Sequence, residues 1–242
     1  MAESPSDRNA LPVSTVSAVL AGFARLPSRA SGALRRSFLT PVLPDPRPRR
    51  VAQLLVGLYL YGLGLALQVA SDLGAAGWDV LHQGLARQTG LSIGTWNILI
   101  GAFVMLLWIP LRQRAGLGTV CNVLLVGVSF DVSLWWLPEV DGLAARWVCL
   151  LLGIVVTGFA TGCYIGAELG PGPRDGLMTG LVARGYSLRV VRTGIEVAVV
   201  VAGFLLGGTV GVGTLLFALA IGQLAHVFLP LLRIRAAVPA AG

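Results

Sequence analysis

The chain has 242 residues, of which 55% are hydrophobic and only 12% are charged. In a typical soluble domain roughly a quarter of the residues are charged, so this composition excludes a water-soluble fold and predicts an integral membrane protein. The net charge of +7 comes mostly from the first 50 residues, and no basic and aromatic residues alternate as they would for nucleic-acid binding.

Residues 1–50 are rich in Ser, Pro, Ala and Arg. Such a composition buries too little apolar surface to fold alone, so we predict a basic, mostly disordered cytoplasmic tail. The mildly apolar stretch 13–26 leaves open a helix on the membrane surface. The basic charge of the tail would favour contact with anionic lipid.

Six stretches of the chain are long and apolar enough to span a bilayer. A hydrocarbon core about 30 Å thick requires roughly 20 apolar residues per helix. The predicted spans are 51–70, 92–111, 117–138, 147–167, 190–209 and 212–232. Segments 72–89 and 168–186 are short, glycine-rich and charged, so they are predicted to be re-entrant or interfacial helices.

The arginines predict the orientation of these spans. Cytoplasmic loops are enriched in basic residues, and with six crossings most arginines of the short loops fall on the side of the basic tail. The acidic loop at Glu139 and Asp141 then falls outside. We therefore predict a multi-pass protein of the bacterial plasma (inner) membrane, with a cytoplasmic N-terminus and a cytoplasmic tail at 233–242.

The chain contains an internal duplication. A shift of 96 residues places Asp79 on Asp175, and a shift of 95 places Gly116 to Thr119 on Gly211 to Thr214. Residues 51–138 form repeat one and residues 147–232 form repeat two. Because each repeat has an odd number of spans, the second copy is inverted, which is the architecture of many secondary transporters.

Small residues recur every four positions in the first span of each repeat. They are Gly62, Ala66 and Ala70 in repeat one, and Gly158, Gly162 and Gly166 in repeat two. Small residues at this spacing allow close contact between helices. We expect the two first spans to cross each other there.

The two short segments contain the candidate pathway residues. Each segment has an acid, a glycine-rich turn, an aspartate and a short helix, which gives Asp72 and Asp79 in the first and Glu168 and Asp175 in the second. A carboxylate in the first helical turn complements the helix dipole, so a structural role competes with a role in a substrate or ion pathway. Trp78 and Arg174 occupy equivalent positions and make the two segments chemically different. Arg174 could bind an anion or pair with Asp175.

Four ionisable residues lie within the predicted spans. Arg192 and Glu196 are four residues apart and share a helix face, so they form an ion pair or take part in ion coupling. Asp131 aligns with His226, which predicts either a proton relay or two residues near helix ends.

The sequence offers no positive case for an enzyme, a cofactor or a metal site. No nucleophile has a recognisable base, no glycine-rich loop has the context of a nucleotide site, and His82 has no further ligands at metal-binding spacing.

The sequence resembles the YczE/YyaS/YitT family of bacterial integral membrane proteins, and most closely its YczE-like branch. The matching stretches lie at 68–97, 116–131 and 162–196, and the most specific motif is GPGPRDGLM at 170–178. The resemblance covers about 51–232 and implies a multi-pass plasma-membrane protein, but it implies no substrate. One departure is Gly77 before Trp78, where the family often has proline.

We expect a small-molecule or ion transporter with a site between the repeats. The alternative is a non-transporting membrane scaffold or regulatory partner of another complex. The substrate, the coupling ion and the oligomeric state stay open.

Overall fold

The computed structural model describes residues 47–234, and these residues form eight helices and no strand. The helices are α1 (Arg47–Ala70), α2 (Gly77–Thr89), α3 (Ile93–Leu111), α4 (Leu117–Trp136), α5 (Leu143–Gly166), α6 (Pro173–Val182), α7 (Leu188–Leu205) and α8 (Val212–Leu232). The tail predicted over 1–50 lies outside the described residues except for its last turn, which belongs to α1. Most of the predicted tail at 233–242 also lies outside them.

Five helices in this part of the chain are long and apolar enough to cross a membrane, namely α1, α3, α4, α5 and α8. The predicted span at 147 begins earlier, at Leu143, because Gly142 takes a positive φ of 84° and starts the helix there. The short helices α2 and α6 lie in the two segments that were predicted to be too short to span.

Helix α7 differs from the predicted fifth span, 190–209. It has 18 residues and includes Arg189, Arg192 and Glu196. It ends at Leu205 rather than continuing to 209, because Gly207 turns the backbone with a positive φ of 93°. By length and composition, α7 is therefore not among the apolar spanning helices.

The core forms where α1 packs against α5 and α4. Its buried side chains include Leu54, Leu58, Leu65 and Phe130. Helices α1 and α5 approach closely at Gly64 and Gly153, where a Cβ on either glycine would overlap the other helix.

The small-residue pattern serves other contacts than the one predicted. A Cβ at Gly62 would overlap Ser129 of α4, and a Cβ at Gly158 would overlap Leu224 of α8. These glycines therefore bring α1 to α4 and α5 to α8. The predicted packing of α1 against α5 does form, but Gly64 and Gly153, rather than Gly62 and Gly158, face that contact.

The same backbone turns recur at positions 96 residues apart. Asp72 and Glu168 have positive φ angles of 54° and 55°, and Gly74 and Gly170 follow with 116° and 127°. The Leu73 carbonyl accepts from the Gly213 amide at 2.8 Å, and the Leu169 carbonyl accepts from the Gly118 amide at 2.8 Å.

Threonine caps form in pairs as well. Thr119 accepts from the Gly116 amide at 3.2 Å, and Thr214 accepts from the Gly211 amide at 3.3 Å. Each bond satisfies a backbone donor at the start of its helix, α4 or α8.

Helix pairing is alike in the two segments predicted to be repeats, with one exception. Helix α1 packs on α4 as α5 packs on α8, and α2 packs on α7 as α6 packs on α3. Helix α3 also packs on α4, whereas α7 and α8 barely touch. The pairing is therefore asymmetric at α7 and α8.

The end of the described chain lies against its beginning. Buried Arg50 of α1 donates to the carbonyl oxygens of Ala167 and Ile234, each at 3.0 Å. The Ile234 amide donates to the Gly166 carbonyl at 3.0 Å. Residues that follow α8 are thus held to the start of α1 and the end of α5.

Candidate functional site

The first turns of the two short helices meet. The Arg174 guanidinium lies over the Trp78 ring, with its Cζ 4.9 Å from the ring centroid. The segments leading to these helices begin at opposite ends of α1, since one follows Ala70 and the other contains Glu168, which pairs with Arg50 at 3.3 Å. A helix of 24 residues is about 36 Å long. The short helices thus converge from opposite ends of α1.

Asp79 lies in the first turn of α2 and is almost fully buried. Its Oδ1 lies 3.0 Å from Nδ1 of His82. Burial lowers the pKa of His82 and outweighs the opposing effect of Asp79. Asp79 Oδ2 and His82 Nε2 are buried and have no hydrogen-bond partner within residues 47–234. Buried polar atoms without a partner are costly, and a polar ligand or water at this place would satisfy them.

Asp175 occupies the equivalent place on α6. The Tyr164 hydroxyl donates to its Oδ2 at 3.0 Å. Burial raises the pKa of Asp175, and this effect is opposed by the Tyr164 hydrogen bond, the Arg174 charge, the Gly172 backbone and the Arg192 charge. The predicted ion pair of Arg174 with Asp175 does not form among the described residues, because the guanidinium stacks on Trp78 instead.

A cavity of about 60 Å³ lies between the two halves of the chain. It has room for a few water molecules or a compact polar ligand. Its polar lining comes from Tyr61, Asn97, Asn122, Tyr164, Arg174 and Asp175. The Asn97 amide nitrogen is buried without a hydrogen-bond partner in the described part of the chain. The lining is therefore rich in donors, with the Asp175 carboxyl as its acidic group.

The two remaining acids of the short segments do not line this cavity. Glu168 pairs with Arg233 at 2.7 Å and with Arg50 at 3.3 Å, and Asp72 pairs with Arg146 at 3.6 Å. The Arg233 hydrogen bond, helped by Arg50, holds the pKa of Glu168 below its usual value against a smaller effect of burial. These acids stabilise the turns that lead into α2 and α6.

The aligned residues Asp131 and His226 have different surroundings. Asp131 accepts from the Ser92 hydroxyl at 2.6 Å and from the Gly94 amide at 2.8 Å, so it caps the start of α3. His226 is exposed on α8. The structure therefore does not give these two residues the common setting that a relay would require.

Arg192 and Glu196 form the predicted ion pair, with Nε and Oε1 3.0 Å apart. Both side chains are nearly half exposed.

Sequence reasoning missed the polar residues of the spans that meet near the cavity. The Gln68 amide donates to the Thr157 hydroxyl at 3.1 Å, and the Tyr61 and Tyr164 rings form an edge contact at 5.8 Å. Tyr61 aligns with Thr157, and Gln68 aligns with Tyr164. The missed signal is that polar side chains interrupt two apolar helices at matching positions of the repeats.

Comparison with known proteins places the chain in a family. A model for a family of unknown function (DUF6198) matches residues 48–230. An uncharacterised protein of Haemophilus influenzae is 41% identical over 196 residues, which cover 81% of this chain and 90% of that protein. No solved structure matches the chain.

Two Bacillus subtilis proteins are also similar. The uncharacterised membrane protein YczE is 33% identical over 177 residues, or 72% of this chain and 82% of YczE. The uncharacterised protein YyaS is 28% identical over 183 residues, or 73% of this chain and 90% of YyaS. The chain therefore belongs to the family of unknown function DUF6198, in the YczE/YyaS group that its sequence resembles, and it is an all-helical membrane protein.

Proposed function

We propose that this protein is a small-molecule or ion transporter of the bacterial inner membrane, built from two inverted three-helix repeats with the substrate site between them. The observation that carries the proposal is the contact of Trp78 with Arg174 beside the cavity. These residues are repeat equivalents, and two equivalent residues touch only close to the axis that relates the repeats. Sites at such an axis are typical of inverted-repeat transporters.

In this proposal α7 also spans the membrane, which brings the number of spans to six. Its 18 residues correspond to about 27 Å, close to the hydrocarbon thickness of about 30 Å. Arg189 lies near the helix end, where a long basic side chain can reach the interface. Both termini are then cytoplasmic. The Arg50–Glu168–Arg233 cluster lies on the same side, and the pair of Asp72 with Arg146 lies outside.

The buried polar groups support transport over a purely structural role. Irregular backbone at membrane depth persists only where protein covers it or water lines it. Ionisable residues there are expensive and by default mark substrate or ion paths. In this proposal Arg174 and Asp175 contact the solute in the cavity, Asp79 lies next to the path, and the protein requires neither a cofactor nor catalytic chemistry.

The test is flux in proteoliposomes across a panel of inorganic ions and small metabolites. Asp175→Asn removes the charge at the cavity, and we expect it to abolish or alter flux of the transported solute while the protein still folds. Asp79→Asn should reduce flux as well. Asp72→Asn is the matched control, since it neutralises an acid of the same segment that lies away from the cavity.

Two results would overturn the proposal. One is a flux no greater than that of empty liposomes for every solute, and the other is a flux that neither Asp79→Asn nor Asp175→Asn changes. Circular dichroism and monodisperse elution from a sizing column would verify that each variant is folded. Such a result would favour the scaffold function.

A further inference from the structure

The two repeats differ most where α3 packs on α4 and α7 stands away from α8. In repeat one, a Cβ on Gly127 of α4 would lie 2.5 Å from the Gly94 carbonyl oxygen and 2.5 Å from the Ile98 side chain of α3. In repeat two, a Cβ on the equivalent Gly222 of α8 would have nothing within 4 Å. We call the contact between these two helices of a repeat its seam. The seam is closed at Gly127 in repeat one and open at the equivalent Gly222 in repeat two.

The residues of α7 explain why the second seam is open. Three positions of α3 that are buried toward the interior are Gly94, Asn97 and Gly101. Their equivalents on α7 are Arg189, Arg192 and Glu196, which share one helix face because they are spaced by three and four residues. Large charged side chains cannot approach a neighbouring helix as closely as Gly94 does. We call the space bounded by this face and by Gly222 and His226 of α8 the α7–α8 cleft.

The cleft has a net positive charge. Arg189 and Arg192 oppose one acid, Glu196, and His226 is exposed on the other side of the cleft. Charged side chains facing lipid are expensive, so this face requires water or a polar partner. A positively charged, wet cleft concentrates anions.

Arg192 also lies close enough to the cavity for its charge to act on Asp175. Burial raises the pKa of Asp175, and the Arg192 charge is the smallest of the effects that oppose burial, after the Tyr164 hydrogen bond, the Arg174 charge and the Gly172 backbone. Helix α7 packs on α2, whose Trp78 carries Arg174. The charged face of α7 therefore extends toward the meeting point of the short helices.

We infer that the α7–α8 cleft is the aqueous entrance to the site between the repeats, and that it admits small anionic solutes. This inference rests on the proposed function, because a cleft is an entrance only if the protein transports a solute. In a scaffold, or in a contact between two copies of the chain, the cleft would instead be covered.

The experiment labels cysteines with methanethiosulfonate reagents in proteoliposomes. The background replaces Cys121, Cys149 and Cys163 with serine. Thr193→Cys on α7 and Gly222→Cys on α8 report on the cleft. Ile98→Cys, the repeat equivalent of Thr193, reports on the closed seam. Val227→Cys reports on an exposed apolar position of α8 that we expect to face lipid.

We expect both cleft cysteines to react and both control cysteines to stay unreactive. Each labelling rate is divided by the rate at which the same reagent reacts with a free thiol in solution. By this measure the anionic sulfonate reagent should react with the cleft cysteines at least about threefold faster than the cationic ammonium reagent, which is the size of effect expected from one nearby unit charge in water. Arg189→Gln should remove this preference, and Glu196→Gln should increase it.

Three outcomes would overturn the inference. Unreactive Thr193→Cys and Gly222→Cys would show that lipid covers the cleft, a disulfide-linked dimer of Gly222→Cys would show that a second copy covers it, and faster labelling by the cationic reagent would exclude anions. Labelling requires no flux. A reactive cleft in a protein that transports no solute of the panel would therefore contradict the proposed function and not the cleft.

Discussion

At the residue scale, equivalent acids of the two repeats have unequal surroundings. Glu168 is held by two arginines, at 2.7 Å and 3.3 Å, whereas Asp72 has one arginine at 3.6 Å and is more exposed. Both acids are pathway candidates by sequence because they precede the glycine turns. Their arginine partners come from distant parts of the chain, so no local pattern could reveal the ion pairs.

Glu168 predicts a pH dependence of stability. A carboxyl group whose pKa is lowered on folding stabilises the folded state at pH values above its usual pKa of about 4.5. This contribution is lost as the pH falls through the lower pKa of the folded state. We therefore expect the thermal midpoint of the wild-type protein in detergent to fall more steeply below about pH 4.5 than that of Glu168→Gln. Intrinsic tryptophan fluorescence would measure it.

Asp72→Asn is the matched control for this comparison, because it neutralises the equivalent acid in its weaker ion pair. It should change the acid limb less than Glu168→Gln does. Parallel acid limbs for the wild-type protein and Glu168→Gln would contradict the prediction.

At the element scale, the sequence predicted every helix of residues 47–234 but not every helix end or contact. Hydropathy and glycine turns located the five apolar spans and the two short helices, because these signals are local. The separation of α7 from α8 depends on which faces meet, and hydropathy does not report that. The sequence signal for this separation is that Gly94 and Asn97 of repeat one align with the large charged residues Arg189 and Arg192 of repeat two.

The two seams predict opposite effects of one substitution. Gly127→Ala places a Cβ against the Gly94 backbone and Ile98, so we expect it to destabilise the protein by about 1–3 kcal/mol. Gly222→Ala meets nothing within 4 Å, and removing a helical glycine should stabilise it by up to about 1 kcal/mol.

Thermal unfolding of both variants in the same detergent would measure this contrast. An equal loss of stability in the two variants would show that α8 is packed at Gly222 as α4 is at Gly127, and the open seam would then be wrong.

At the scale of the whole molecule, the sequence indicated the duplication and the structure repeats its turns, caps and ion pairs. What the sequence could not supply is the cavity, because Tyr61, Asn97 and Asp175 come from three helices that are far apart along the chain. It also could not predict that Trp78 and Arg174 touch, since nothing local fixes the distance between two halves of a bundle.

Whether α7 crosses the membrane can be tested by labelling from each side. If α7 crosses, Tyr186→Cys before it and Val210→Cys after it face opposite sides. An impermeant maleimide added to intact cells should then label Val210→Cys alone, and Tyr186→Cys should react only after the membrane is opened. Both positions are exposed, so accessibility does not limit the reaction.

Leu117→Cys and Leu143→Cys, which bracket α4, provide the control for a helix that is apolar enough to span. Labelling of Tyr186→Cys and Val210→Cys from one side would contradict six crossings.

The bonds of Arg50 to Ala167 and Ile234 keep the two ends of the helical bundle side by side. A gene in which residue 234 is joined to residue 47 by a short linker, and which is opened in the exposed loop at 137–142, would encode a circular permutant with the second half translated first. Such rearrangements are tolerated where termini are adjacent and the new break is exposed. Because the order of synthesis would be reversed while every contact is retained, this permutant would reveal whether one half must insert first to guide the other.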